Sequence, residues 1–300
     1  MTVPAEDERP HPPGAALSWT ETTWLELFDG ASQLAGVVRL DVRPNQGTGE
    51  VSFSFFLPDD GFITARHVTA YAADASSVVE IEDARLETIE PLRRWSVRYD
   101  GPSHALASAA EARNREAWHR SRLERLIVEL DVTAACDAVP GDRSFAQPVR
   151  VAGEVWVSGD QYVLAARGLR GKAWRDGVLA QRATSVALWC DDDRVLFARV
   201  ETRSGTSGGT ETVEGWTSIG GEVRPVRELR LERAASVAGA SAAMTVVVRG
   251  DGGEHRIGVE LPHVAPLVGL SGGRSHELRL GVAHARWDGH PGHGFLEELE

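Results

Sequence analysis

From Leu17 onward a turn signal returns about every ten residues, and the runs between signals alternate apolar and polar side chains. That rhythm constrains the fold more than any other feature. Alternation with period two gives a strand one buried and one outward face. The first run, LSWTETTWLELFD (17–29), carries Trp19, Glu21, Thr23, Leu25 and Leu27 on one face, with Trp24 and Phe28 on the other. Runs at 35–43 and 50–57 flank the turn PNQGTG (44–49), and PDDG (58–61) is a strong stop, because Pro presets φ and Gly supplies positive φ. Further strands are expected at 62–71, 78–81, 84–90, 93–99 and 123–132.

One stretch breaks the rhythm. Residues 104–120 (HALASAAEARNREAWHR) are rich in Ala, Glu and Arg and lack Gly and Pro, which is helix composition, with Ser103 as a candidate cap. Glu111 and Arg115 are spaced to pair across one turn. The loop at 137–144 is the expected domain boundary. Beyond it VRVAGEVWVSGDQYVLAARGLRGKAWRD (149–176) reads as a hairpin turning at Ser158–Gly159 and ending in a cluster of Arg167, Arg170, Lys172, Trp174 and Arg175. It is expected to open the second domain. Strands at 183–190, 194–201, 212–219, 222–231, 242–250, 255–260 and 275–287 follow, with a Gly/Ser/Thr loop at 204–210. No β–α–β alternation appears, so a parallel α/β fold is disfavoured. The expectation is all-β: two antiparallel barrels and one short helix, over 15–145 and 146–300, after a disordered tail at 1–14.

Composition narrows the class of partner. Acidic side chains outnumber basic ones, 44 to 32, for a formal charge of −12. A nucleic-acid or anionic-membrane partner requires the opposite balance. No apolar run approaches the ~20 residues of a membrane span. Two distant cysteines, Cys136 and Cys190, and an acidic, Pro-rich start fit a cytoplasmic protein without a disulfide framework.

Chemistry is less legible. His284, His290 and His293 sit among Gly and Pro, where a polar turn is a better reading than a metal site, and no metal or cofactor is expected. Of nine tryptophans, Trp24, Trp156, Trp174, Trp189 and Trp216 are candidate walls of an apolar pocket, against the plainer reading that barrels bury Trp at closure points. Glu21, if inward among apolar rings, would have a raised pKa and serve as a general acid; if outward, it is simply solvated. His67 is the candidate for proton transfer in the first half, or else a satisfied structural histidine. Arg170 and Lys172 are candidates to bind a carboxylate or polarise a carbonyl, or they pair with surplus acids on the surface.

Four stretches together carry a family resemblance. ETTW (21–24), AGVVRLDVRPNQGTG (35–49), GLRGKAWRD (168–176) and HELRLGVAHARWDGHPGHGFLEEL (276–299) resemble segments of the hydroxyneurosporene synthase-like, or carotenoid hydratase-like, proteins. The resemblance implies two lipocalin-like β domains and an apolar cavity between them. Its known members hydrate or cyclise isoprenoids, or promote cyclisation of polyketides. Carried over by position, Glu21 matches the acid of the first motif, and Arg170 and Trp174 match the Arg-Asp-His-Ser-Trp-Gly element. Trp24 stands where the family has Tyr, Gly171 where it has Asp, Lys172 where it has His, and Arg175 where it has Gly. The resemblance therefore implies a cofactor-independent cyclase, isomerase or hydro-lyase acting on an apolar isoprenoid or polyketide-like molecule. The alternative is a non-catalytic carrier of a hydrophobic metabolite. Oligomeric state is not legible.

Overall fold

The computed structural model describes residues 2–71, 77–176, 182–191, 193–205, 208–233, 242–271 and 274–299. The chain is all-β and divides into two compact units, Met1–Ala107 with Trp118–Val178, and Ser108–Ala117 with Leu179–Glu300.

The first unit holds β1 (Trp19–Asp29), β2 (Leu34–Arg43), β3 (Thr48–Phe56), β4 (Phe62–Ala70), β5 (Val78–Ile81), β6 (Ala84–Glu90), β7 (Arg94–Leu106), β8 (Arg122–Ala134), β9 (Val139–Gly141), β10 (Ser144–Val157) and β11 (Asp160–Asp176). Their order is β4-β3-β2-β1-β11-β10-β8-β7-β6-β5, and β4 also pairs with β7, which closes eight of the strands into a ring. Closure satisfies the backbone groups that an open edge would expose. The inward positions form a single core that includes Leu25, Leu27, Val38, Phe53, Phe55, Tyr99, Leu126 and Val128. Burying each such side chain is worth about 1.5–3 kcal/mol.

The second unit holds β12 (Arg182–Cys190), β13 (Arg194–Gly205), β14 (Gly208–Ile219), β15 (Glu222–Arg233), β16 (Ala242–Gly250), β17 (Gly253–Ser271), β18 (Arg274–Trp287) and β19 (His290–Leu299), a closed antiparallel barrel in sequence order. Its core, built on Leu188, Leu196, Val246, Ile257, Val259 and Trp287, is a second cluster.

Several expectations are corrected. The hairpin at 149–176 does not open the second unit: β11 lies between β10 and β1, with Trp24 opposite Gly171 and Glu21 opposite Trp174. Its turn is as expected, Ser158 and Gly159 both having positive φ (53° and 99°), the geometry of a tight two-residue hairpin. The expected helix over 104–120 is broken. Residues 104–106 finish β7, with His104 paired to Leu123, and Ser103 donates to the Glu124 carbonyl (2.9 Å) instead of capping a helix. A 3₁₀ turn, Ala109–Arg113, precedes extended Asn114, whose side chain accepts from Glu116 N (2.9 Å) to start a one-turn helix, Arg115–Arg120. The 204–210 loop is mostly strand, with 206–207 outside the described residues. β17 runs well past 260, carried across Pro262 by a shift in register between Glu260 and His263.

The largest correction is at the N-terminus. Residues 2–14 are ordered against the first unit: Ala5–Glu8 form a 3₁₀ turn, and Val3 packs with Ala138 and Phe145. Composition alone misses this because what holds the segment is a set of buried cations far along the chain.

Candidate functional site

Alternation on β11 sends Arg170, Lys172 and Trp174 to one face of the sheet, opposite Leu25, Thr23 and Glu21 of β1. The next strand continues that face with Val38, Leu40 and Val42. Trp95 and Val97 of β7, Val132 of β8 and Leu86 of β6 close over it. With them the cavity, about 460 Å³ within the first unit, is lined mainly by apolar side chains, with the charged row from β1 and β11 on one side and polar groups of Glu8, Arg9, His11, Glu87, Thr88 and Ser96 at other points. The described cavity thus lies inside one unit, whereas the expectation from the family resemblance was a cavity between two domains.

The N-terminal segment crosses this charged row as a strap. Glu8 accepts from both ends of the Arg170 guanidinium, at 2.5 and 3.0 Å. It also accepts from Leu92 N and from Trp95 Nε1, both at 3.3 Å. The Arg170 guanidinium carbon lies over the Trp95 ring, 3.7 Å from its centroid, and over that of Phe145 at 5.2 Å. A desolvated stack of this kind contributes about 2 kcal/mol. Lys172 Nζ ion-pairs with Glu21 (2.5 Å) and donates to the carbonyls of Glu8 (3.0 Å) and Arg9 (2.7 Å). His11 N donates to Glu21 (3.0 Å), and the His11 ring stacks on Trp174 with centroids 3.7 Å apart.

Burial and pairing set the charge states. Burial pushes the Glu21 carboxyl up, but the His11 hydrogen bonds and the Lys172 charge outweigh it, so its pKa falls below the ordinary carboxylate value. Glu21 is therefore an ionised partner at neutral pH, which corrects its reading as a protonated general acid. Burial draws the Lys172 pKa below that of a free lysine, against the opposing pull of Glu21. Burial likewise lowers that of Arg170, against the pull of Glu8. Both residues are buried.

Of the candidate catalytic residues, Glu21, Arg170 and Lys172 come together at the cavity. His67 does not: it sits outside the lining, its Nε2 donating to Tyr99 Oη (2.8 Å), whose hydroxyl donates to the Pro102 carbonyl (2.6 Å). Trp24 borders the cavity, but alternation puts its side chain on the opposite face from Glu21 and Leu25. There its indole lies over Gly171, where a Cβ would stand 2.1 Å from the ring. Trp174 clamps His11 and does not line the cavity. Trp156 donates to Glu154 (3.0 Å) away from it, and Trp189 and Trp216 are buried in the second unit. The tryptophans that do line it are Trp19, Trp24 and Trp95. Sequence reasoning passed over Glu8, His11 and Trp95. Trp19 was legible, since it shares the inward alternation of Glu21.

Residues 4–300 match the family described as Domain of unknown function (DUF7064). The chain belongs to that family. No curated protein matches the DUF7064 chain. Among solved structures it is similar in fold to a putative AttH from Nitrosomonas europaea, with 13% identity and TM-score 0.65, covering 96% of this chain and 98% of that one. It is similar to kievitone hydratase from Nectria haematococca, with 10% identity and TM-score 0.60, covering 99% and 92%. It is also similar to CghA, with 10% identity and TM-score 0.59, covering 94% and 88%. At these identities the likeness is one of fold, and it supports the lipocalin-like architecture without extending to the hydroxyneurosporene synthase name. Among the described residues no helix is long and apolar enough to cross a membrane.

Proposed function

We propose that this DUF7064 protein is a cofactor-independent enzyme of the cyclase, isomerase or hydro-lyase type, acting on an apolar isoprenoid or polyketide-like molecule in the first-unit cavity. The observation that carries the reading is the buried Lys172–Glu21 pair on one wall of a largely apolar chamber. Ionic pairs cost desolvation, and a hydrophobic replacement of similar volume is often neutral or stabilising. A charge pair buried in the wall of a largely apolar cavity is therefore better explained by chemistry than by stability. In this reading the apolar walls, Trp19, Trp95, Val38 and Leu40, fold the substrate into a reactive conformer. Lys172, made more acidic by burial, protonates or polarises an oxygen or alkene carbon of the substrate, and Glu21 balances the charge and receives the returning proton. Arg170 stabilises negative charge that develops nearby. The hydratase among the solved structures of like fold supports the reaction class by analogy of fold only.

The carrier reading is favoured by one specific observation: with the strap in place, Arg170 and Lys172 are both already partnered. Lys172→Met separates the two. An enzyme loses turnover of its substrate far more than affinity for it, whereas a carrier shows parallel changes or none.

A further inference from the structure

Every donor that grips the Glu8 carboxylate belongs to the β framework. Arg170 comes from β11, Trp95 Nε1 from β7, and Leu92 N from the turn before β7. None comes from the strap, so none of the four donors would depart with it. They form a complete carboxylate receptor, a bidentate fork plus two N–H groups, and it opens on the cavity. With Glu8 absent, Arg170 and Lys172 face only Glu21 in this row, which leaves one uncompensated buried positive charge. That charge calls for one negative charge from a ligand.

The strap has little backbone pairing of its own. Pro4, Pro10, Pro12 and Pro13 deprive it of backbone donors. Its own backbone bonds are the two of the 3₁₀ turn, Asp7 N to Pro4 O and Arg9 N to Glu6 O. What holds it is side-chain anchorage, chiefly Glu8, the Lys172 contacts, Val3 and the His11–Trp174 stack.

We propose that Glu8 occupies in cis the place of a ligand carboxylate, and that the cavity takes a monocarboxylic acid with an apolar body, whose carboxylate displaces Glu8 from Arg170. The acid head sits on Arg170, Trp95 and Leu92, the apolar body fills the chamber against Val38, Leu40 and Leu86, and Lys172 and Glu21 lie beside it. This inference rests on the reading that the cavity holds an apolar small molecule, and it names that molecule's head group.

The test is calorimetric titration of the full chain with decanoate against decanol and with cinnamate against cinnamyl alcohol, in wild type, Glu8→Gln and Arg170→Gln. Hydrogen–deuterium exchange of residues 2–13 is followed in parallel. An acid is expected to bind at least tenfold more tightly than its alcohol. Glu8→Gln should tighten the acid at least tenfold and leave the alcohol within a factor of about two. Arg170→Gln should abolish the preference for acid, and acid binding to wild type should speed exchange in the strap. The proposal is overturned if acid and alcohol bind alike, if Glu8→Gln leaves acid affinity unchanged, if no acid binds Glu8→Gln, or if the strap stays protected when acid is bound. Alcohol binding without acid preference would overturn it while leaving the apolar-cavity reading intact.

Discussion

Glu8 and Arg170 stand 162 positions apart in sequence and meet as a bidentate pair, with side chains 4% and 5% exposed. This contact ties the first turn of the chain to the strand that carries the cationic row. Removing one partner of a buried pair leaves a charge without compensation, at about 3–5 kcal/mol. Arg170→Met is expected to destabilise the first unit by that order, and Glu8→Gln by less, because the amide oxygen still accepts from the guanidinium. Urea midpoints of the two variants, measured with unchanged m-values, check the ranking.

Gly171 makes room for Trp24. A Cβ at 171 would fall 2.1 Å from the indole ring. Gly171→Ala is therefore expected to cost about 1–3 kcal/mol by overpacking. Combining it with Trp24→Ala should recover much of that loss, so a double-mutant cycle should show favourable coupling. Additive losses would mean the ring does not bear on this glycine.

The strand reading was legible where alternation alone decides burial. Trp19, Glu21, Thr23, Leu25 and Leu27 of β1 all share the inward face that their spacing gave, and Arg170 and Lys172 stood out as cations two apart in a strand. Other parts depended on partners that no local pattern shows. Glu8 looked like part of a solvated tail because its arginine lies 162 residues away. Trp95 resembled any other barrel tryptophan until Arg170 was laid on its face. The break in the 104–120 helix came from strand pairing with Leu123 and Thr64, which composition cannot register.

Glu21 gives the fold an acid limit. Its folded-state pKa lies below the ordinary 4.5, since His11 and Lys172 outweigh its burial. Between the folded value and 4.5 the unfolded chain binds the proton and the native one does not, so stability rises with pH there. The contribution is complete above 4.5 and is lost as pH falls through the folded value. Lys172 acts at the other end: its folded pKa is below 10.5, so its buried charge weakens the fold at neutral pH and is relieved as pH climbs towards 10.5. Urea midpoints of wild type and Glu21→Gln, compared across pH, should differ above 4.5 and converge in acid. A constant difference would contradict this assignment.

Trp95 both stacks on Arg170 and donates to Glu8. Trp95→Leu removes the stack, about 2 kcal/mol when desolvated, together with one hydrogen bond. Residues 2–13 should then exchange their amide hydrogens faster than in wild type while β10 and β11 remain protected. Uniform loss of protection would instead make Trp95 a general core residue.

The central claim is that the first-unit cavity, with its Lys172–Glu21 wall, receives a small apolar molecule. Native mass spectrometry of the purified protein tests it most directly, followed by denaturation to identify what is released and fluorescence titration with isoprenoids and polyketides. The account predicts one bound molecule per chain, released on denaturation or taken up from the panel, and quenching that is weakened in Trp95→Leu. A protein that carries nothing, and whose tryptophan fluorescence ignores the whole panel, would contradict it.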